Sequence, residues 1–287
     1  MIAFIILHYK NVSDTLECIK SVSQLKSNQK IKIVVVDNHT LEQEELEKLK
    51  EYTKDILLLE KNEGFAKANN KGCAYAISKY HPDFLVVINN DTIMIQKDFI
   101  NRIQTIYKET NFDLLGPWIE CPPFSGSVNP YKPLKNLDEV QNELKVQQKL
   151  LKYYQSPFLY FLLTTAIRLK RIFKKPVMMQ NADQREENVS LHGCAIIFSK
   201  KYYEKYDTIF YPNTFLYHEE SFLYQRIIKD KLISIYDPSI KIKHKEGSSL
   251  HTTMNGNERK KLLFRTQEII KSLKLLEQEM GNKNEQE

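Results

Sequence analysis

Asp37 closes the run Val34-Val35-Val36 and is followed by Asn38. A carboxylate at the end of an apolar strand can accept a hydrogen bond from an imide N–H, such as that of uracil or thymine. The same two residue types also suit a turn or a helix N-cap. Asn89-Asn90-Asp91 closes Leu85-Val86-Val87-Ile88 in the same way. A hard divalent cation on a diphosphate needs only one or two protein carboxylates, because the phosphates and water supply the rest. A solitary Asp there also serves as a simple cap. Glu219-Glu220 follows Thr214 to His218 and opens a helical pattern. Two acids in a first helical turn favour the helix dipole, and two carboxylates at the mouth of a cleft can supply a general base. His244, ahead of Lys245-Glu246-Gly247-Ser248-Ser249, ends a short strand as either a ligand or a hydrogen-bonded structural residue.

The segment Asn62 to Gly72, NEGFAKANNKG, lacks the glycine spacings of dinucleotide and P-loop sites. Gly64 permits a tight turn, Asn62, Asn69 and Asn70 offer side-chain hydrogen bonds, and a helix N-terminus suits an anion. An ordinary strand-to-helix connection has the same look. Cys194, after Gly193 in an apolar run, reads as a small core residue. The other cysteines, Cys18, Cys73 and Cys121, are far apart with no C-x-x-C pair, which argues against a disulfide framework or a zinc ribbon.

The elements that must position these residues are legible as alternating patterns. Strands are expected at Ile2 to Leu7, Ile31 to Val36, Ile56 to Leu59 and Phe84 to Ile88. Helices are expected from Asp14 (with Glu17 as a capping box) to Leu25, and over Leu41 to Tyr52, Phe65 to Lys79 and Lys97 to Tyr107. Continuous apolar strands separated by helices predict a mostly parallel sheet covered on both faces, an α/β fold. Ligands of such sheets bind beyond the carboxyl ends of the strands, where this chain has His8-Tyr9, Asp37-Asn38, Lys61-Asn62 and Asn89-Asn90-Asp91. Prolines 122, 123, 130 and 133 then mark a loop, and a helical stretch runs to about Arg171. A strand over Gly193 to Ser199, a helix over Glu219 to Lys229, short strands at Leu232 to Tyr236 and Ile240 to His244, and an amphipathic helix from Arg259 to Glu279 complete the chain. The tail from Gly281 reads as frayed. This divides the chain into 1–120, a helical insertion 121–190, 191–255 and 256–287.

With 287 residues, 42% of them hydrophobic, the chain can bury a sizeable core. Its charge of +6 is local. Lys149, Lys152, Arg168, Lys170, Arg171, Lys174 and Lys175 lie in one acid-free segment, outside the sheet region, which argues against nucleic acid. Phe158 to Leu163 beside those cations suits an interfacial helix on anionic lipid, or a helix packed over the acceptor side with a solvated basic face. Ile2 to Leu7 is too short for a signal sequence, and no run reaches the ~20 apolar residues of a membrane span. A cytoplasmic protein, peripheral on the inner face of the plasma membrane, is the expectation.

Taken in order, VVVDN, NEGFAKANNKG, INNDT, LHGCAIIFSK, FLYHEESFLYQR and IKHKEGSS resemble the motifs of family 2 inverting glycosyltransferases, closest to the rhamnosyltransferase-like branch that builds polysaccharides. The resemblance covers about residues 1–120 and 190–270. It implies a GT-A fold, a nucleotide-diphosphate sugar donor and a glycan or lipid-linked acceptor. Asp37 would contact the base; His8, Tyr9, Asn62, Gly64, Phe65, Asn69, Asn70, Asn90 and Gly193 would line the donor pocket. Asp91 matches the last acid of the family's D-x-D motif, which holds Mg²⁺ or Mn²⁺, and His244 matches a His near the metal or diphosphate. Glu220 matches the usual base, with Glu219 beside it. Asn89 stands where an Asp is frequent, and Phe222 where a further acid is frequent. The competing classes are a sugar nucleotidyltransferase, which would want a Gly-rich basic loop where this chain has His8-Tyr9-Lys10-Asn11, and a binding module without turnover.

Overall fold

The computed structural model describes residues 1–122, 126–171, 183–245 and 257–284, the side chains of 166–171 and 282–284 excepted. In chain order the elements are β1 (Ile2–His8), α1 (Val12–Ser23), β2 (Ile31–Asp37), α2 (Gln43–Lys50), β3 (Asp55–Leu58), α3 (Gly64–Tyr80), β4 (Phe84–Asn89), β5 (Thr92–Met94), α4 (Phe99–Thr110), β6 (Leu114–Glu120), α5 (Leu137–Gln155), α6 (Pro157–Arg171), β7 (Glu186–Glu187), β8 (Ala195–Ser199), α7 (Lys200–Lys205), α8 (Glu219–Asp230), β9 (Ser234–His244) and α9 (Glu258–Asn284).

One sheet runs β3-β2-β1-β4-β8-β6-β9-β5, with β7 pairing β9. The alternation of side chains along each strand fills both of its faces. Ile2, Phe4 and Ile6 of β1 join Phe84, Val86 and Ile88 of β4 in a core with Cys18, Ile19 and Val22 of α1 and Ile100 and Ile103 of α4. Ala3 and Ile5, with Leu85 and Val87, point the other way, to Ala66, Cys73 and Ala76 of α3 and Leu223 and Ile227 of α8. Both faces are dry, so the strands read as unbroken apolar runs. Truncating a side chain as buried as Phe4 or Phe198 to Ala costs about 3–5 kcal/mol.

The expected α/β fold with helices on both faces is present, and most of its sheet runs one way: β1, β2, β3, β4, β6 and β9 share a direction, with β5, β7 and β8 set against them. β1 pairs β2 and β4 in parallel, as does β2 with β3 and β6 with β9. β8 is antiparallel to both β4 and β6, and β9 antiparallel to β5 and β7. β5, β6, β7 and α7 are absent from the reading of the sequence. In β6, Gly116 and Pro117 interrupt the apolar run and disguise a strand whose pairing with β9 shifts register between Pro117 and Trp118. The two short strands expected at 232–236 and 240–244 are one, β9, which continues through Pro238.

Helix α1 begins two residues earlier than expected. Asn11 is its N-cap, its side chain accepting from the Asp14 N–H at 3.3 Å, so Asp14 sits in the first turn rather than at the cap. α9 continues to Asn284, past the expected fraying point at Gly281. A third apolar cluster joins Val140 and Leu144 of α5, Phe222 of α8, and Ile269, Ile270, Leu273 and Leu276 of α9. The expected helical insertion is thereby packed on the helix that carries Glu219 and Glu220. Lys174, Lys175 and Glu246 to Ser249 lie outside the described residues.

Candidate active site

The carboxyl ends of β1, β2 and β4 lie on one side of the sheet. Because β8 runs antiparallel, its amino end, with His192-Gly193-Cys194 before it, lies on that side too. The Asn89 N–H donates to Cys194 O at 3.0 Å and ties the two together.

At the end of β1, His8 is fully buried, and Nδ1 lies 2.6 Å from the Thr15 hydroxyl. Burial lowers its pKa to about 4, so the ring is neutral at physiological pH. Asn90 donates to the same Thr15 hydroxyl at 3.0 Å, which makes Thr15 the hub of two expected site residues. Tyr9 carries Lys10 Nζ 5.7 Å over its ring.

At the end of β2, Asp37 Oδ1 accepts from Thr40 N at 2.9 Å and Leu41 N at 3.2 Å, so one oxygen caps the following turn. Burial raises its pKa against those hydrogen bonds, which lower it. Asn38, absent from the expected site, holds the next loop. Its amide donates to Gly64 O at 3.1 Å, and its carbonyl accepts from Glu63 N at 2.8 Å.

That loop turns at Gly64, whose φ of +78° and position leave no room for a side chain. A Cβ there would lie 2.1 Å from Phe215 O. Asn62 Oδ1 accepts from Gly64 N at 2.9 Å, closing the turn. Phe65 donates its N–H to Phe215 O and packs edge-on against Phe210, centroids 5.3 Å apart. Asn70 reaches across to the loop before α8. Both ends of its amide are taken by the backbone of Phe210, donating to its O at 2.9 Å and accepting from its N at 2.8 Å, so its role is to fasten the loop before α8. Asn69 is fully buried, with Nδ2 on Phe65 O.

The acidic end is built by the two residues before α8. Tyr217 and His218 take φ of +72° and +66°, left-handed values that cost about 1–3 kcal/mol each in non-glycine residues. They turn the chain so that Glu219 and Glu220 head the helix. Glu220 Oε1 accepts from Gly193 N–H at 3.0 Å, and a Cβ on Gly193 would fall 3.0 Å from that oxygen and 3.5 Å from Phe65 Cζ. Glu219 is buried; desolvation first and the neighbouring Glu220 second push its carboxyl well above the usual range.

Asp91 and His244 meet. His244 Nε2 lies 3.0 Å from Asp91 Oδ1, both side chains almost fully buried. Burial opposes charge on His244, but Cys194 and Asp91 outweigh it and raise its pKa. Cys194 is a buried core residue, as read from the sequence. Burial raises its thiol, but His244 and His192 overcome that and bring it down to about 7. His192 lies with its ring centroid 6.2 Å from that of His244 and is packed by Tyr131 at 5.6 Å. His192 was within a quoted motif but not singled out; its place directly before Gly193 was the available signal.

No group of three or more metal-ligating side chains occurs among the described residues. Asp91 and His244 supply one hard carboxylate and one imidazole, a pair that fits Mg²⁺ or Mn²⁺ when a diphosphate and water complete the shell.

Among the described residues, three buried side-chain atoms lack a protein hydrogen-bond partner: His8 Nε2, Asn69 Oδ1 and Glu219 Oε1. All three belong to the residues expected to form the site. Such orphans are rare in native interiors and call for a specific reason.

The molecule is an α/β sheet covered by helices on both faces and split by an antiparallel strand, with polar residues gathered at one end. Residues 3–232 match the family model "Glycosyl transferase family 2", and the chain belongs to that family. Among solved structures it is similar to the crystal structure of S. aureus TarS 1-349, at 13% identity and a TM-score of 0.48, over 86% of this chain and 58% of that one. It is also similar to S. aureus TarS 1-349 in complex with UDP-GlcNAc, at 19% identity and a TM-score of 0.37, over 44% of this chain and 36% of that one. In both cases the chain spans less than two thirds of the solved chain's length. No curated protein matches it.

Proposed function

We propose that the protein is an inverting glycosyltransferase that moves a sugar from a nucleoside-diphosphate donor to a hydroxyl of a glycan or lipid-linked acceptor in cell-surface polysaccharide synthesis. The observation that carries this reading is the set of orphaned polar atoms on His8, Asn69 and Glu219 in a family 2 chain. A buried polar atom without a partner costs about 1–3 kcal/mol, and a polar ligand relieves that cost.

In this reading Glu220 takes the proton of the acceptor hydroxyl as its oxygen bonds to the anomeric carbon and the bond to the diphosphate breaks. One displacement inverts the centre. The Gly193 N–H fixes the orientation of the Glu220 carboxylate. Glu219, held protonated by burial, spares Glu220 a like charge beside it. Asp37 has one oxygen committed to its turn, and the other is available to a base N–H. Gly64, Asn62 and Phe65 shape the wall between base and sugar. Asp91 and His244 would hold a divalent cation, Mg²⁺ or Mn²⁺, whose chemistry is to neutralise charge on the diphosphate.

The test is a panel of UDP, dTDP and GDP sugars with Mg²⁺ or Mn²⁺, scored for release of nucleoside diphosphate. Turnover of one donor supports the reading. Absence of turnover and of nucleotide binding across the panel overturns it.

A further inference from the structure

Helix α6 has an outward face that none of the described residues covers. Ser156 opens it, its hydroxyl accepting from Leu159 N–H at 3.3 Å, and Pro157 takes the first position, where its missing N–H costs nothing. Phe158, Phe161 and Leu162 then fall at i, i+3 and i+4, on one side of the helix. They are 68%, 64% and 46% exposed. Thr165, one position further along the same stripe, is exposed as well. Two phenylalanines and a leucine turned to water on one stripe is an unusual surface for a protein whose sheet is dry on both faces.

The surroundings state what kind of surface would cover it. Between Leu144 and Ala182 the chain carries eight Lys or Arg residues and no Asp or Glu. Lys145, Lys149 and Lys152 are exposed on α5 at i, i+4 and i+7, and the sequence of the last turn of α6 adds Arg168, Lys170 and Arg171. An apolar-aromatic stripe in a stretch of chain whose charged residues are all cationic complements a surface that is oily inside and anionic outside. None of the described helices is long and apolar enough to cross a membrane, so the stripe suits lying on a bilayer rather than spanning it.

The hairpin of α5 and α6 is braced from within. Tyr154 and Tyr160 pack edge-on at 6.2 Å, and Arg259 of α9 donates to Tyr154 O at 2.9 Å and Gln155 O at 3.1 Å. Its base is tied to α8, where Ser221 Oγ accepts from Leu134 N–H at 3.3 Å. We propose that the outward face of α6, with the cations of α5, is a docking surface for an anionic phospholipid bilayer. The surface itself does not depend on the reaction proposed above. Its use does rest on that reading, because docking would bring lipid-borne hydroxyls to the protein that carries Glu220.

The test is co-sedimentation of the full chain with vesicles of phosphatidylglycerol and phosphatidylcholine, at low and high salt. The wild type is expected to bind and to be released by salt. Phe158→Ser/Phe161→Ser should weaken binding about tenfold or more, with an unchanged melting temperature and unchanged nucleoside-diphosphate release from a soluble donor. Lys149→Gln/Lys152→Gln should remove the preference for anionic vesicles while leaving residual binding. Wild-type protein that stays in solution at low salt overturns the proposal, as does a double Phe variant that sediments like the wild type. Concentration-dependent self-association that the Phe variant abolishes, without vesicle binding, would assign the face to a second copy of the chain instead. Vesicle binding without turnover of any donor would sink the catalytic reading and leave the docking surface standing.

Discussion

The backbone N–H of Gly193 donates to Glu220 Oε1 at 3.0 Å, joining the strand at the middle of the sheet to the first turn of α8. The N–H of Gly193, a residue expected at the donor, thus holds one carboxylate oxygen of Glu220. A side chain on residue 193 would press on that oxygen and on Phe65. Gly193→Ala should therefore fold normally and lose kcat by about 10²-fold, the scale of an ångström-sized misplacement. Nucleotide affinity, measured in parallel by calorimetry, should change far less. Wild-type turnover in that variant would show that Glu220 is not held by this contact.

Glu220→Gln keeps the shape of the side chain but cannot take a proton. Transfer should fall by roughly 10²–10⁴-fold, the usual contribution of a general base, while donor binding persists. Glu219→Gln should cost less, through positioning. An inactive Glu219→Gln beside a near wild-type Glu220→Gln would move the role to Glu219.

Glu219 also makes a prediction about stability. Burial and Glu220 raise its folded-state pKa above its unfolded value, so between those two values the folded state holds a proton that the unfolded state has released. Stability from this group is full below the unfolded carboxylate pKa and declines as pH rises toward the raised folded value. Glu219→Gln should flatten that part of the profile and stabilise the protein relative to wild type at the alkaline end. Thermal melts of both proteins from pH 5 to pH 9 provide the measurement. Parallel profiles would mean that Glu219 is already ionised in the fold.

Asp37 has two jobs that two substitutions can separate. Asp37→Asn keeps an acceptor for Thr40 N and Leu41 N and should retain stability while weakening nucleoside-diphosphate binding. Asp37→Ala should lose both the cap and the contact, each by about 1–3 kcal/mol. Equal nucleotide affinity in wild type and Asp37→Asn would leave Asp37 as a turn residue alone.

Asp91→Asn should remove the stimulation of nucleotide binding by Mn²⁺, because a neutral amide is a poor ligand for a hard cation. Calorimetry of UDP binding with and without Mn²⁺ reads this without any assay of transfer. Stimulation of the same size in the variant would exclude Asp91 as the ligand.

Where the sequence pattern is local, it was legible. The apolar runs of β1, β2, β4 and β8 and the polar residues at their ends needed only strand periodicity, and Asp91 with His244 came from motif order. What could not be read depends on partners far along the chain. Asn70 looks like a site residue until its amide is found on Phe210, 140 residues away. β6 was hidden because Gly116 and Pro117 break its pattern, and only pairing with β8 and β9 makes it a strand. Cys194 reads as core because burial is all that an apolar run reports; His192 is two residues away, but His244, its other histidine neighbour, comes from the far end of β9. Glu219 and Glu220 were visible, but not the left-handed Tyr217 and His218 that aim them.

The antiparallel insertion of β8 between β4 and β6 has a consequence for how the chain can be made and cut. The stretch to Glu120 contains most of the residues assigned to the donor, yet by itself it would leave β4 as an unprotected edge, apolar on both faces. Bare edges of that kind recruit other chains. The amino-terminal part is therefore not a separable nucleotide-binding module: released by proteolysis or a premature stop, it should aggregate. During synthesis it must wait for residues 195–199 to close the ladder, a pairing across more than a hundred positions that makes for a high contact order and slow folding.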